Sequence, residues 1–216
     1  MLVVFEKTPR LRHVGHLDLM RAMQRALRRS GVPIAFSQGF NPHLLVTFAA
    51  PLSVGMAGKR EVMEVPLSAP MEEADFKRLL SAALPADLPC VAVRAVDDRH
   101  PAPMALLQAA AYRIGPSEQA EALCTAVPAL LERKEVMALR KTKSGEKLTD
   151  IRPMIYDLRA ENGALECTLS LCEAATCKPE LLMDALAAQA GLPERPRAMY
   201  TRMQLYGQGL VPLELL

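Results

Sequence analysis

The chain predicts an α+β fold: two tandem βαββαβ domains, each an antiparallel sheet with its helices packed on one face. Three observations lead there. Over residues 1–98 the hydrophobic period switches between two and 3.6 in the order strand, helix, strand, strand, helix, strand. The same order recurs over residues 110–216, with a longer hairpin region. Between them, residues 99–109 carry two prolines on entry and read as a linker. No residue-level identity joins the halves, so the repeat is one of topology. It is the ferredoxin-like split βαβ order, which lets one sheet face bury both helix stripes.

Each element has its own local reason. MLVVFEKTP at the start reads as a strand ending in a turn. GHLDLMRAMQRALRRSG (15–31) reads as a helix closed by Gly31. At 100° per residue, His16, Leu19, Met20, Met23, Ala26 and Leu27 share one side, and Arg21, Arg25, Arg28 and Arg29 share the other with Asp18. PIAFSQG (33–39) and HLLVTFAA (43–50) read as extended segments around a Gly-Asn-Pro loop. KREVMEVPL (59–67) alternates as a strand. APMEEADFKRLLSAALP (69–85) is a helix with acidic residues near its start, where they complement the helix dipole. LPCVAVRAV (88–96) is a strand.

In the second half AAYRIGP (110–116) is strand-like, and SEQAEALCTAVPALLERK (117–134) is helical with Pro128 as a kink or break. EVMALRKTKSGEK and TDIRPMIYDLRAENGALECTLSL are extended, with turns at Ser144-Gly145 and Asn162-Gly163. KPELLMDALAAQAGL (178–192) is a helix with Pro179 in its first turn and Gly191 at its end, and RAMYTRMQLYG (197–207) is the last strand.

Composition bounds the function classes. Half of the 216 residues are hydrophobic and 23% are charged, which is ordinary for a globular protein. With no Trp and twelve Met, the core is mostly Leu, Val, Ala and Met. The net charge of +2 excludes a polycation. The basic groups are uneven, however: within residues 1–30, Lys7, Arg10, Arg12, Arg21, Arg25, Arg28 and Arg29 meet only Glu6 and Asp18. A local basic face on a near-neutral chain points to an anionic partner contacted at one place. The N-terminus lacks a signal-peptide pattern, no apolar run approaches a membrane span, and five Cys fit a reducing compartment, so the expected location is cytoplasmic with no membrane partner.

Chemistry-bearing motifs are few. There is no GxxxxGK[ST] and no GxGxxG, so nucleotide hydrolysis and dinucleotide binding have no support. Cys167, Cys172 and Cys177 lie five apart, unlike C-x2-C metal sites, and neither metal nor cofactor is expected. His13 and His16 flank the start of the first helix, and His43 lies in the loop. They are the candidates for acid–base work if the chain is an enzyme, which needs them to converge. Arg21, Arg25 and Arg28 lie at i, i+4, i+7, a line of forked donors suited to phosphate, with Arg29 beside them. A second basic cluster comprises Arg140, Lys141, Lys143, Lys147 and Arg152.

The stretches GHLDLMR (15–21), ALRRSGVP (26–33), FSQGFNP (36–42), PLSVG (51–55) and TDIRPMI (149–155) resemble the radical SAM-linked protein family. That is a bacterial domain of unknown function, found alone or fused behind a cobalamin-binding radical SAM enzyme. The resemblance is densest over residues 10–67. It departs after Pro42, where the family commonly carries a basic residue and this chain has His43, Leu44 and Leu45. The resemblance implies an accessory role beside a separate radical SAM enzyme. The chain has no CxxxCxxC, so it is not itself a typical radical SAM catalyst. The paired topology is also similar to that of CRISPR repeat-processing RNA endonucleases.

The leading expectation is therefore a non-catalytic module that binds RNA or another anionic substrate for that enzyme. Its ligand-binding set is Arg21, Arg25, Arg28, Arg29, Gln38, Gly39, Asn41, His43 and Arg152. The alternatives are a protein adaptor docking on the enzyme and a metal-independent endoribonuclease using His16, His43 or His13. With five Phe and four Tyr in the chain, stacking on bases is expected to be a minor term.

Overall fold

The computed structural model describes residues 1–97, 99–142 and 145–216, with the backbone alone at Lys141 and Thr142. The protein is mixed α+β, with mostly antiparallel pairing and five helices among the described residues. It divides into two compact units: Met1–Leu107 together with Gln204–Leu216, and Gln108–Met203. Among the described residues no helix is long and apolar enough to cross a membrane.

In the first unit, strand β1 (Leu2–Lys7) is apolar at its first four positions, and all four are buried. A strand covered on both faces needs this continuous run rather than alternation. Val3 and Phe5 join the core formed with helix α1 (His16–Ser30), where Leu19, Met23, Ala26 and Leu27 are buried. Each such large side chain contributes roughly 1.5–3 kcal/mol when fully buried. The helix ends at Gly31, whose φ of 76° supplies the left-handed C-cap that a side chain would strain.

Strand β2 is only Thr47–Phe48, pairing with β3 (Met56–Glu64) as Phe48 opposite Met63. The extended segments expected over 33–39 and 43–50 otherwise make only single bridges, Ile34 to Leu67 and Phe36 to Leu44. Pro33, at the start of the first segment, lacks the N–H that a longer ladder there would require. β3 also pairs antiparallel with β1, Val4 opposite Val62. Helix α2 (Glu73–Ala83) buries Phe76 and Leu80 and packs on α1. Strand β4 (Cys90–Arg94) pairs on the other edge of β1, and a short helix α3 (Pro103–Leu106) follows.

Residues 204–216 belong to this unit although they follow the whole second unit in sequence. A short 3-10 turn, Leu213–Leu215, packs against β1. Arg60 donates to Glu214 Oε1 from Nε and Nη2 at 2.9 and 2.7 Å, and Gln204 Nε2 donates to Glu214 Oε2 at 2.8 Å. Arg94 Nη1 donates to the carbonyls of Glu214 and Leu216 at 2.9 and 2.8 Å.

The second unit runs β5 (Ala109–Ser117), α4 (Ala120–Leu131), β6 (Met137–Thr142), β7 (Gly145–Asp150), β8 (Ile155–Glu161), β9 (Ala164–Ser170), α5 (Pro179–Gln189) and β10 (Ala198–Tyr206). Its strand order is β10–β5–β9–β8, with residues 204–206 of β10 counted in the first unit. β6 and β7 form a separate hairpin, Met137 opposite Asp150. Lys143 and Ser144 of its expected basic turn lie outside the described residues, as does Asp98 before the linker. The Asn162-Gly163 turn joins β8 to β9, with φ of 50° and 70° at its two central residues. α4 continues through Pro128 to Leu131.

Candidate functional site

The loop 37–43 is pinned at its base by two residues. Ser37 N donates to the His43 carbonyl at 2.8 Å, and His43 N donates to Ser37 Oγ at 3.0 Å. Ser37 Oγ and His43 Nδ1 also hydrogen-bond at 2.8 Å. Gln38, Gly39, Phe40, Asn41 and Pro42 between them are all exposed. Gly39 takes φ 118°, which an L side chain rarely adopts, although a Cβ there would meet nothing. The glycine is therefore needed for the backbone and not for space. The next residue, Phe40, is fully exposed at 105%. A rigid base thus presents an unpacked phenyl ring beside two amide side chains.

The four arginines of α1 are all exposed, and the structure divides their duties. Arg21 pairs with Asp18 at 3.1 Å, with side-chain exposures of 62% and 68%, so the pair is worth at most a few tenths of a kcal/mol. Arg29 Nη2 donates to the Ala83 carbonyl at the end of α2, 2.9 Å away. Arg28 lies over the Phe36 ring, 5.6 Å from its centroid. Arg25 has no hydrogen-bond or ion-pair partner among the described residues. Since Phe36 adjoins Ser37, the Arg28 stack joins the arginine face to the base of the loop.

The start of α1 is organised by Lys7. Although it is one of the seven basic residues within 1–30, it is only 1% exposed. Its Nζ donates to the carbonyls of Arg12, Val14 and Met56 at 3.3, 2.8 and 3.1 Å. The Arg12 carbonyl also accepts Gly55 N at 2.7 Å. Lys7 therefore ties the segment before α1 to the PLSVG stretch and offers no charge to a ligand.

The candidate histidines have separate surroundings. His16 packs edge-on against Phe48, with centroids 5.4 Å apart, and its Nδ1 is buried without a hydrogen-bond partner among the described residues. His13 is exposed, and His43 is engaged with Ser37. Among the described residues none of the three hydrogen-bonds a carboxylate or another histidine, the contact that would orient a general base.

Arg152 lies in the second unit, and its Nη2 donates to the Leu131 carbonyl at the end of α4, 3.3 Å away. Asp150 Oδ1 accepts both Val136 N and Arg152 N, at 2.8 and 3.0 Å. The DIRP stretch is thus a joint between α4 and the β6–β7 hairpin. Of the second basic cluster, Arg140 and Lys147 sit opposite each other in that hairpin.

Among the described residues no group of three His, Cys, Asp or Glu side chains could hold a metal ion. Cys167 and Cys177 are buried and Cys172 is half-buried. Burial pushes the Cys177 thiol up to about 12 and raises that of Cys167 as well. An unfolded thiol loses its proton near pH 8.5. Both thiols therefore favour the folded state fully below that pH, and the contribution fades as pH rises toward 12. Stability measured by urea unfolding is expected to fall across that alkaline window. A Cys177→Ala variant is expected to show a shallower fall, and an unchanged slope would refute the assignment.

Sequence reasoning missed Phe40, Phe36 and the role of Lys7. Two phenylalanines within the glycine-containing FSQGFNP were the available signal for the first two. A cavity of about 470 Å3 in the first unit, lined by Met1, Glu64, Pro66, Leu67, Ala95 and Asp97 among others, contains none of the expected site residues.

A family model described as an uncharacterized protein conserved in bacteria (DUF2344) matches residues 1–182. No curated protein matches the chain.

Proposed function

We propose, for a chain that belongs to the DUF2344 family of uncharacterized bacterial proteins, that its first unit binds single-stranded RNA or a comparably anionic substrate for a separate radical SAM enzyme and performs no bond chemistry itself. The fold reading that goes with it is two ferredoxin-like domains. The order β4–β1–β3 with β2 on β3, and the order β10–β5–β9–β8, support it.

The observation that carries the RNA reading is Arg28 stacked on Phe36, because it links the cationic face of α1 to the base of the loop that carries the exposed Phe40. Single strands are held by that combination: guanidinium groups track phosphates while unstacked bases lie on aromatic rings. Stacking, expected to be minor from the aromatic count, gains weight because Phe40 is wholly available. The radical SAM partner rests on the resemblance of the GHLDLMR, ALRRSGVP and FSQGFNP stretches.

The test is a fluorescence-anisotropy titration of labelled single-stranded RNA in EDTA, with the RNA then run on a denaturing gel. Salt-dependent binding with intact RNA is the expected result. Absence of binding at low salt, with co-purification of a radical SAM enzyme lost on Arg25→Glu, would replace RNA by an acidic protein surface. Cleavage abolished by His16→Ala or His43→Ala would make the protein a ribonuclease. Phe40→Ala is expected to leave the melting temperature unchanged and to weaken RNA binding roughly 5- to 150-fold, the range for one lost base stack.

A further inference from the structure

We propose that the second unit carries a binding site of its own for a large zwitterionic amino acid, in the cavity between β6 and the start of α5. This does not depend on the RNA reading, which concerns the first unit. The cavity holds about 580 Å3, within the range of small-molecule sites. Leu139 and Arg140 of β6 line one part, and Lys178, Glu180, Leu181 and Asp184 of α5 line another, with Arg195 following the helix.

The charges sort into those already satisfied and those left open. Arg195 Nη1 donates to both Asp184 oxygens and to the Glu180 carbonyl, each at 3.0 Å, so that pair is closed on itself. Arg140 and Lys178 have no ion-pair partner among the described residues. Glu180, which also lines the cavity, has a carboxylate with no hydrogen-bond or ion-pair partner among the described residues. Arg140 and Glu180 both line this one cavity.

Two open cations call for an anionic group, and an unpaired carboxylate beside them calls for a donor. An inorganic anion would satisfy Arg140 and Lys178, leave Glu180 unmatched and be repelled by it. A diamine would satisfy Glu180 and meet two like charges. An α-amino acid answers both demands: its carboxylate faces Arg140 and Lys178, at the positive end of the α5 dipole, and its ammonium faces Glu180. Leu139 and Leu181 leave an apolar wall for its side chain.

The experiment is a thermal-shift series on the full chain, using the proteinogenic amino acids one by one at millimolar concentration. Inorganic phosphate and putrescine serve as anion-only and cation-only probes. At least one large amino acid is expected to raise Tm by about 3 °C or more, as ligand at roughly tenfold its Kd would. Glu180→Gln and Lys178→Met, the latter at an exposed position, are each expected to halve that shift or remove it. The proposal fails if no amino acid shifts Tm, or if the shift survives both substitutions. It also fails if phosphate or putrescine alone reproduces the shift.

Discussion

Reversing Arg25 and Arg28 together to Glu is expected to lower the affinity of the protein for single-stranded RNA by roughly 100-fold at low salt. It is also expected to flatten the salt dependence. Each lost phosphate contact on a single strand removes about 0.7 from the slope of log K against log salt, so two contacts remove roughly 1.4. Arg25 has no partner among the described residues to give up, and Arg28 gives up an exposed stack on Phe36 worth about 0.5–1 kcal/mol. Loss of affinity therefore cannot be charged to unfolding if circular dichroism is unchanged. Arg29→Gln is the informative control, because Arg29 already donates to the Ala83 carbonyl. It is expected to cost binding less than either reversal. Unchanged affinity and slope in the double variant would remove α1 from the site.

Lys7→Met is expected to be the most destabilising single substitution in the first unit, at about 3 kcal/mol. The ammonium is buried and donates to three carbonyls. Hydrogen bonds to charged groups contribute roughly 1.5–3 kcal/mol each, and a buried acceptor left bare costs about 1–3 kcal/mol. Two effects hold the net loss below that sum. The Arg12 carbonyl keeps Gly55 N, and Met avoids the desolvation of a buried ammonium. Urea unfolding should show a lower midpoint at an unchanged slope. A variant as stable as the parent would mean that the desolvation cost of Lys7 cancels its hydrogen bonds. Because Lys7 also holds the residues before α1, His13 and His16 should give broadened NMR signals in this variant.

Much of this could be read from residues alone, for a reason that can be named at each place. α1 was legible because Leu19, Met23, Ala26 and Leu27 repeat with the helix period while the arginines fill the opposite face. The Asn162-Gly163 turn was legible because few residue pairs adopt positive φ twice in succession. The segments 33–39 and 43–50 were legible as extended, but not how little of them pairs, because apolar residues say nothing about whether each N–H finds a partner. Lys7 looked like any surface cation, since backbone carbonyls such as those of Arg12, Val14 and Met56 carry no residue signature. The bond from Arg152 to the Leu131 carbonyl was hidden for the same reason. Phe40 was hidden by counting aromatics instead of asking where the loop would place them.

The return of residues 204–216 to the first unit bears on the order in which the protein is born. Domains generally fold as units during synthesis, with the N-terminal one first. Here the N-terminal residues 1–107 leave the ribosome without Glu214, so Arg60 has no carboxylate to hold and the turn that packs on β1 is missing. Residues 108–203 form one unbroken stretch and can close as soon as they emerge. The first-made half is thus the last to be completed, and a message truncated after the second unit would release a first unit that lacks its final latch. Such a product would carry every arginine of α1 and the whole 37–43 loop, yet offer proteases an opened β1.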